Sequence, residues 1–309
     1  MAGIGLNLNA AVRSRKWWPE GAALAADFVN GRYMRDGAEV PFAAAFSFAR
    51  NSPALLAAGG GRWANFDAGQ LRRQAGLGAL LEPATTNQSR GTIDIGGGGW
   101  TMPAGLSRTG NGSDGFVFSV GEAATGLLAL EQYGNIDIPA NEPGFFSFDL
   151  HDSGLRGAAL WFSNVGYRAD FSTQTGIANG TGENAVASMV ALGGGWSRCR
   201  VRHVHSAATF AWRLKLGTSR SNSSYAAGDF VRLRLPQVEL GRFSAPVVNA
   251  SLTQAAVRAA DQLAPVGGGV HDVEVHLGGG TIQGLAAVSG ALPAAQLNET
   301  LVRRAFWFG

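Results

Sequence analysis

The sequence predicts an all-β protein, an antiparallel β-sandwich of the jelly-roll or lectin-like kind preceded by an N-terminal arm and docking region. Three observations carry that reading. From Gly115 onward, short runs rich in aromatic and β-branched residues alternate with Gly, Asn, Ser and Asp turns at the spacing of sandwiches and barrels. Glycine supplies 45 of the 309 residues without a collagen period, which calls for many tight turns. Phe210, Trp212, Leu214 and Leu216 alternate with Ala211, Arg213 and Lys215, so that one face of this strand belongs to a core.

In chain order, residues 1–45 read as an arm and docking region. Its basic, tryptophan-bearing opening is Arg13, Arg15, Lys16, Trp17 and Trp18, and a short β element follows at Ala26 to Gly31. Trp17, Trp18, Pro19 and Glu20 stand where a signal peptide would need its apolar stretch, so synthesis in the cytoplasm without a signal peptide is expected. Residues 46–100 form a connecting module with glycine clusters, the Arg72-Arg73 pair and an apolar run, Leu77 to Leu81, that suits a short helix or a buried strand. Residues 101–265 hold the sandwich. Its strands are expected at Phe116 to Val120, Leu127 to Leu130, Phe145 to Leu150, Ala158 to Phe162, Ala185 to Leu192, Trp196 to His205, Phe210 to Leu216 and Phe230 to Leu240. Residues 266–309 form a C-terminal β segment, a small tip or a set of extra strands, with an alternating run at Val270 to Leu277 and a closing run at Leu301 to Phe308. The uncharged stretch from Leu277 to Asn298 is broken by glycines and Pro293 and makes a poor membrane span.

Composition narrows the function. Hydrophobic residues make up 46% of the chain, enough for a core, while charged residues reach only 15% and leave Ser, Thr, Asn and Gly to cover much of the surface. Such a surface suits sugars or other subunits. A net charge of +3 with spread basic residues does not fit a nucleic-acid partner. The single cysteine, Cys199, excludes an internal disulfide framework and a multi-cysteine metal site. The chain has no G-x-S-x-G elbow, H-E-x-x-H, P-loop or C-x-x-C, so no catalytic site is expected, although a glycosidase would need only two carboxylates at the right separation.

The period of two also sorts the chemistry-bearing residues. It puts Arg198, Arg200 and Arg202 on one face of their strand and Cys199, Val201, His203 and His205 on the other, with Arg232 and Arg234 sharing a face of a later strand. Adjoining stripes would meet an acidic polysaccharide through charge-assisted hydrogen bonds, or else form a solvated face or subunit contact. His203 with His205, and Asp272 with Glu274 and His276, lack further local ligands, so neither a metal nor a cofactor is expected. Calcium bridging loop oxygens to sugar hydroxyls is the one ion the Asp- and Asn-bearing loops would suit. Trp100 and Trp161 lie beside Gly- and Asn-rich loops and are candidate stacking platforms for sugar rings, whereas Trp212 belongs to the core.

Several phrases occur together and in order: Asp27-Phe28 with Gly31, Phe46-Ser47-Phe48-Ala49-Arg50, Leu80 to Asn87 (LLEPATTN), Gly195 to Cys199, Pro236 to Phe243 (PQVELGRF) and Val257 to Asp261 (VRAAD). Jointly they resemble spike, fibre and tail proteins of tailed phages and gene transfer agents. The resemblance implies a virion component, a head spike above all, whose carbohydrate-binding-like sandwich holds host cell-surface or capsular polysaccharide for adsorption. It further implies other virion proteins as partners and a homo-oligomer on the particle surface. A polysaccharide-degrading spike of the tailspike kind and a purely structural capsid or tail connector are the alternatives.

Overall fold

The computed structural model describes residues 16–309 apart from 75, 93, 112–113, 133–135, 156, 163–165, 181–184, 205–208, 218–222 and 249–253. Two six-stranded antiparallel sheets face each other. The first runs Leu106–Asn111, Gly115–Val120, Phe230–Leu240, Pro143–His151, Trp196–Val204, Ala185–Gly193. The second runs Trp100–Thr101, Ala129–Gln132, Trp212–Leu216, Gly157–Phe162, Gly166–Ser172, Ile177–Gly180. The expected antiparallel β-sandwich is therefore present. Consecutive strands cross between the sheets, as when Pro143–His151 of the first is followed by Gly157–Phe162 of the second.

Alternation decides what fills the space between them. Phe118, Phe146, Phe148, Leu150, Val201 and Leu233 point inward from the first sheet and meet Leu160, Phe162, Phe171, Trp212, Leu214 and Leu216 from the second. Phe146 lies 4.7 Å from Phe162 by ring centroids, and Phe148 meets Phe171 edge-on at 5.4 Å. Trp212, Leu214 and Leu216 are buried as their spacing predicts. The only helical pieces among the described residues are Phe42–Ala45 and the 3-10 turn Ala294–Gln296, and none is long and apolar enough to cross a membrane.

The ends of the chain depart from the sequence-based division. The sequence divides residues 1–45 from 266–309, the latter read as a small tip or a set of extra strands, but the strands described in both share one sheet. Its order is Ile282–Ser289, Val270–Leu277, Leu301–Phe308, Ala22–Asp27, Arg32–Arg35, Ala38–Val40, with Gly78–Leu80 also beside Leu301–Phe308. Ala25 pairs with Phe306 and Val275 with Ala305. The physical reason is burial: Leu24, Ala26 and Phe28, with Tyr33 and Phe46 nearby in the chain, complete a second core only with Val273, Val275, Ala305 and Trp307 from the C-terminal strands. The run at Leu77 to Leu81 contributes the strand Gly78–Leu80, the second of its two expected forms.

Between the two cores, residues 46–100 and 241–265 interlock. Phe46–Ala49 pairs with Gln262–Pro265, Thr85–Asn87 pairs with Ala256–Arg258, and Ala54–Gly59 forms a hairpin with Arg62–Phe66 that lies over the outer face of the first sheet. Gly61 makes that approach. At φ +73° it sits so close to the Gly193 carbonyl and the Trp196 ring that any Cβ would collide with both.

Candidate functional site

The outer face of the first sheet carries Asp149 directly between Arg198 and Arg234, its register partners on the two neighbouring strands. The basic stripes thus share a face, as alternation predicts, but two of their members are spent inside the protein. Asp149 is fully buried and accepts hydrogen bonds from Arg198 at 3.0 Å, Arg234 at 2.9 Å and the Trp63 indole N–H at 2.7 Å. Arg198 also donates to the Leu235 carbonyl and to Ser147 Oγ, both at 2.8 Å, and Arg234 donates to the Gly61 carbonyl. Arg198 and Arg234, 1% and 3% exposed, therefore do not face solvent as polysaccharide-binding cations: Arg198 braces neighbouring strands of the sheet, and Arg234 ties the hairpin to it. Arg200 is half-buried with its guanidinium 5.4 Å from the Phe243 ring centroid, and burial draws its pKa below the ordinary arginine value. Arg202 is exposed.

The phrases that carry the family resemblance converge on a second buried charge cluster. Asp261 accepts from Arg50 at 3.0 Å, from Arg72, and from the Glu82 backbone N–H at 2.8 Å. Glu82 pairs with Arg72 at 2.6 Å and Arg258 at 3.4 Å, and accepts the Ala245 backbone N–H at 2.7 Å. Arg50, Glu82, Arg258 and Asp261 come from three of the quoted phrases, so these phrases mark the clasp between the two cores and not a ligand surface.

Beside the clasp, Asn87 donates to the Val247 carbonyl at 2.8 Å and accepts the backbone N–H groups of Ser89 and Val238, each at 3.0 Å. Glu239 accepts from Thr85 Oγ1 at 2.7 Å and from the Ser244 backbone N–H at 3.1 Å. Desolvation outweighs these bonds and holds the Glu239 carboxyl above its ordinary pKa of 4.5. The fold thus favours the protonated acid; its contribution is present below pH 4.5 and is lost as pH rises through the elevated folded value. Glu239→Gln should accordingly lose less stability than the parent across that window, read as urea midpoints at a series of pH values. An equally steep fall in the variant would exclude Glu239 as the source.

Between the hairpin and the sheet lies an open cleft of about 620 Å³. The hairpin contributes Leu55, Arg62, Trp63 and Asn65; the sheet contributes Trp196, Arg232 and Arg234, with Asp114 at the turn before Gly115–Val120. Arg234 lies 3.9 Å and Arg232 5.2 Å from the Trp196 ring centroid, and His151 meets that ring edge-on at 4.9 Å. Arg232 is half-buried and donates to the Asp114 carbonyl at 2.8 Å. The Arg62 and Asn65 side chains are exposed and make no hydrogen bond or ion pair among the described residues. The cleft offers an indole face, a free guanidinium and a free amide. Arg232 and Arg234, named from the sequence, line this cleft, but Arg62, Trp63 and Asn65 were missed; their signal is a tryptophan two residues after the triple-glycine turn Gly59-Gly60-Gly61.

Elsewhere the expectations divide. Trp100 is no platform: it is 6% exposed, donates to the Arg90 carbonyl at 3.0 Å and packs edge-on against Trp212 in the sandwich core. Trp161 is half-buried on the outer face of the second sheet, in register with Arg213, which Glu131 holds at 2.6 Å. Arg13 and Arg15 lie outside the described residues and Lys16 is exposed. Trp17 and Trp18 pack against Ala25, Met34 and Phe306 on the terminal sheet, with the Trp17 indole donating to Glu39 at 2.9 Å, so this pair is partly engaged within its own chain. His203 is buried beside Phe162, and His205 lies outside the described residues. His276 bonds Glu274 at 2.7 Å, while Asp272 accepts the Ala287 N–H at 2.9 Å. No three His, Cys, Asp or Glu side chains gather as a metal site among the described residues. Compared with known proteins, the chain matches no family model and no curated sequence.

Proposed function

We propose that this protein is a spike or fibre subunit of a phage-like particle, a head spike by preference, that binds host cell-surface or capsular polysaccharide without cleaving it. The observation that carries the binding reading is the cleft, where the half-buried Trp63 lies beside the exposed Arg62 and Asn65 above the buried Trp196. Flat indole faces stack on the C–H faces of sugar rings, and planar guanidinium forks pair with hydroxyl and carboxylate oxygens. The motif resemblance supports the setting on a particle, where other virion proteins are the partners and several weak sites of a homo-oligomer would engage one polymer.

Arg62 gives the cleanest test because it holds nothing else in place. Arg62→Ala should leave the unfolding midpoint unchanged and weaken binding of capsular polysaccharide by roughly tenfold, the loss expected for one hydrogen bond to a charged group. Affinity electrophoresis of purified protein against isolated capsule reads this. Unchanged retardation would remove the cleft from the function. Shortened chains after the same incubation would favour the degrading spike, and retention by capsid without any retention by polysaccharide would favour the structural connector.

A further inference from the structure

The cleft does not end at Asn65. A second hollow of about 390 Å³ adjoins it, and the two share Leu55, Asn65 and Val248 as common walls, so the groove continues along the hairpin. Its chemistry changes along its length. The first part carries Arg62 and Trp63; the second is walled by Pro53, Pro246, Val248 and Val257, with Ser52 and Asn65 as its polar members. Val248 and Val257 are 44% and 66% exposed, and the nearby core leaves them outside. Val257 and Pro246 lie beside the clasp: Val257 is in the short strand Ala256–Arg258, and Pro246 follows the Ala245 N–H bonded to Glu82. The apolar walls are thus held by buried ion pairs and stand ready before a ligand arrives.

We infer that the groove takes an internal stretch of an acidic polysaccharide whose neighbouring residue bears a methyl group, as an O-acetyl, N-acetyl or 6-deoxy sugar does. This rests on the cleft being a sugar site. Charge complementarity sets the orientation: the carboxylate lies at Arg62, which no protein acid satisfies, and the methyl group enters the hollow between Pro246, Val248 and Val257. Asn65, exposed at the boundary, bonds the oxygens between the two sugars. Hydroxyl-covered hexoses would strand their polar groups against the proline and valine walls, which is what makes this end selective.

Two forms of one polymer separate the terms. Chemically O-acetylated polymannuronate and the same polymer without acetyl groups are titrated into the purified full chain by calorimetry, with dextran as the neutral control. The acetylated form should bind about tenfold more tightly, the discrimination one apolar group gives in a fitted hollow. Val257→Asn, which is polar but uncharged, should abolish that preference and leave the affinity for the plain polymer within about twofold, whereas Arg62→Ala should weaken both forms alike. Equal affinity of the parent protein for the two acidic polymers, each above dextran, overturns the methyl subsite and leaves the sugar reading standing. Binding to neither polymannuronate overturns both. A preference for the acetylated form that survives Val257→Asn places the methyl group elsewhere and overturns the inference.

Discussion

Asp261→Asn is expected to destabilise the protein by about 3–5 kcal/mol, the largest loss from any single isosteric change in the clasp. The carboxylate has no exposure and faces three guanidinia: Arg50 at 3.0 Å, Arg72, and Arg258 at 3.8 Å, with only Glu82 to share the balance. Losing the charge leaves three buried cations facing one acid, and the asparagine N–H₂ must point at a group that is itself a donor. The unfolding midpoint in urea measures the loss, and a shift below about 1 kcal/mol would mean that the cluster is not held by charge pairing. Adding Arg50→Met to the same chain should recover part of the stability, because removing a cation relieves the imbalance that removing the acid creates. Both terminal segments should lose hydrogen-exchange protection together, since the clasp joins the terminal sheet to the sandwich.

Much of the sandwich was legible because a strand announces itself by its period of two. Trp212, Leu214 and Leu216 inward, and Arg198, Arg200 and Arg202 together on the opposite kind of face, follow from spacing alone. What covers a face does not follow from spacing. Arg198 and Arg234 look like free cations until the hairpin of residues 54–66 lays Trp63 and Gly61 across them, and that hairpin is written mostly in alanine and glycine, which carry little periodic signal. Trp100 misleads for a similar reason, because the glycines before it suggest an exposed loop while its N–H finds the Arg90 carbonyl inside. The pairing of Ala22–Asp27 with Leu301–Phe308 joins residues nearly the whole chain apart, and local pattern holds no record of it. Charged residues within otherwise apolar phrases, Glu82 after Leu80-Leu81 and Asp261 after Ala259-Ala260, were the visible trace of the clasp. A carboxylate in such company is buried and paired more readily than it is displayed.

Asp149→Asn should couple stability to binding in a way that no clasp variant does. Asp149 joins three elements: Arg198 from one neighbouring strand, Arg234 from the other, and Trp63 from the hairpin above. Neutralising it leaves two buried guanidinia on adjacent registers with no acid between them, a loss of about 3–5 kcal/mol in global stability. The hairpin suffers most, because the Trp63 N–H loses its charged acceptor while Gly61 stays hydrogen-bonded to the Leu192 carbonyl at 2.9 Å. Amides of residues 54–66 should therefore exchange faster in Asp149→Asn than the sandwich core does, and polysaccharide affinity should fall with them as Trp63 leaves the cleft wall. Trp63→Phe separates the two effects. It keeps an aromatic face beside the cleft while removing the N–H donor and part of the indole's packing, so its stability cost should be about 1–2 kcal/mol, and most of the binding should remain. If Asp149→Asn binds polymer as the parent does while its hairpin amides open, the hairpin wall is not part of the sugar site, and the binding surface must be sought on the second sheet around Trp161.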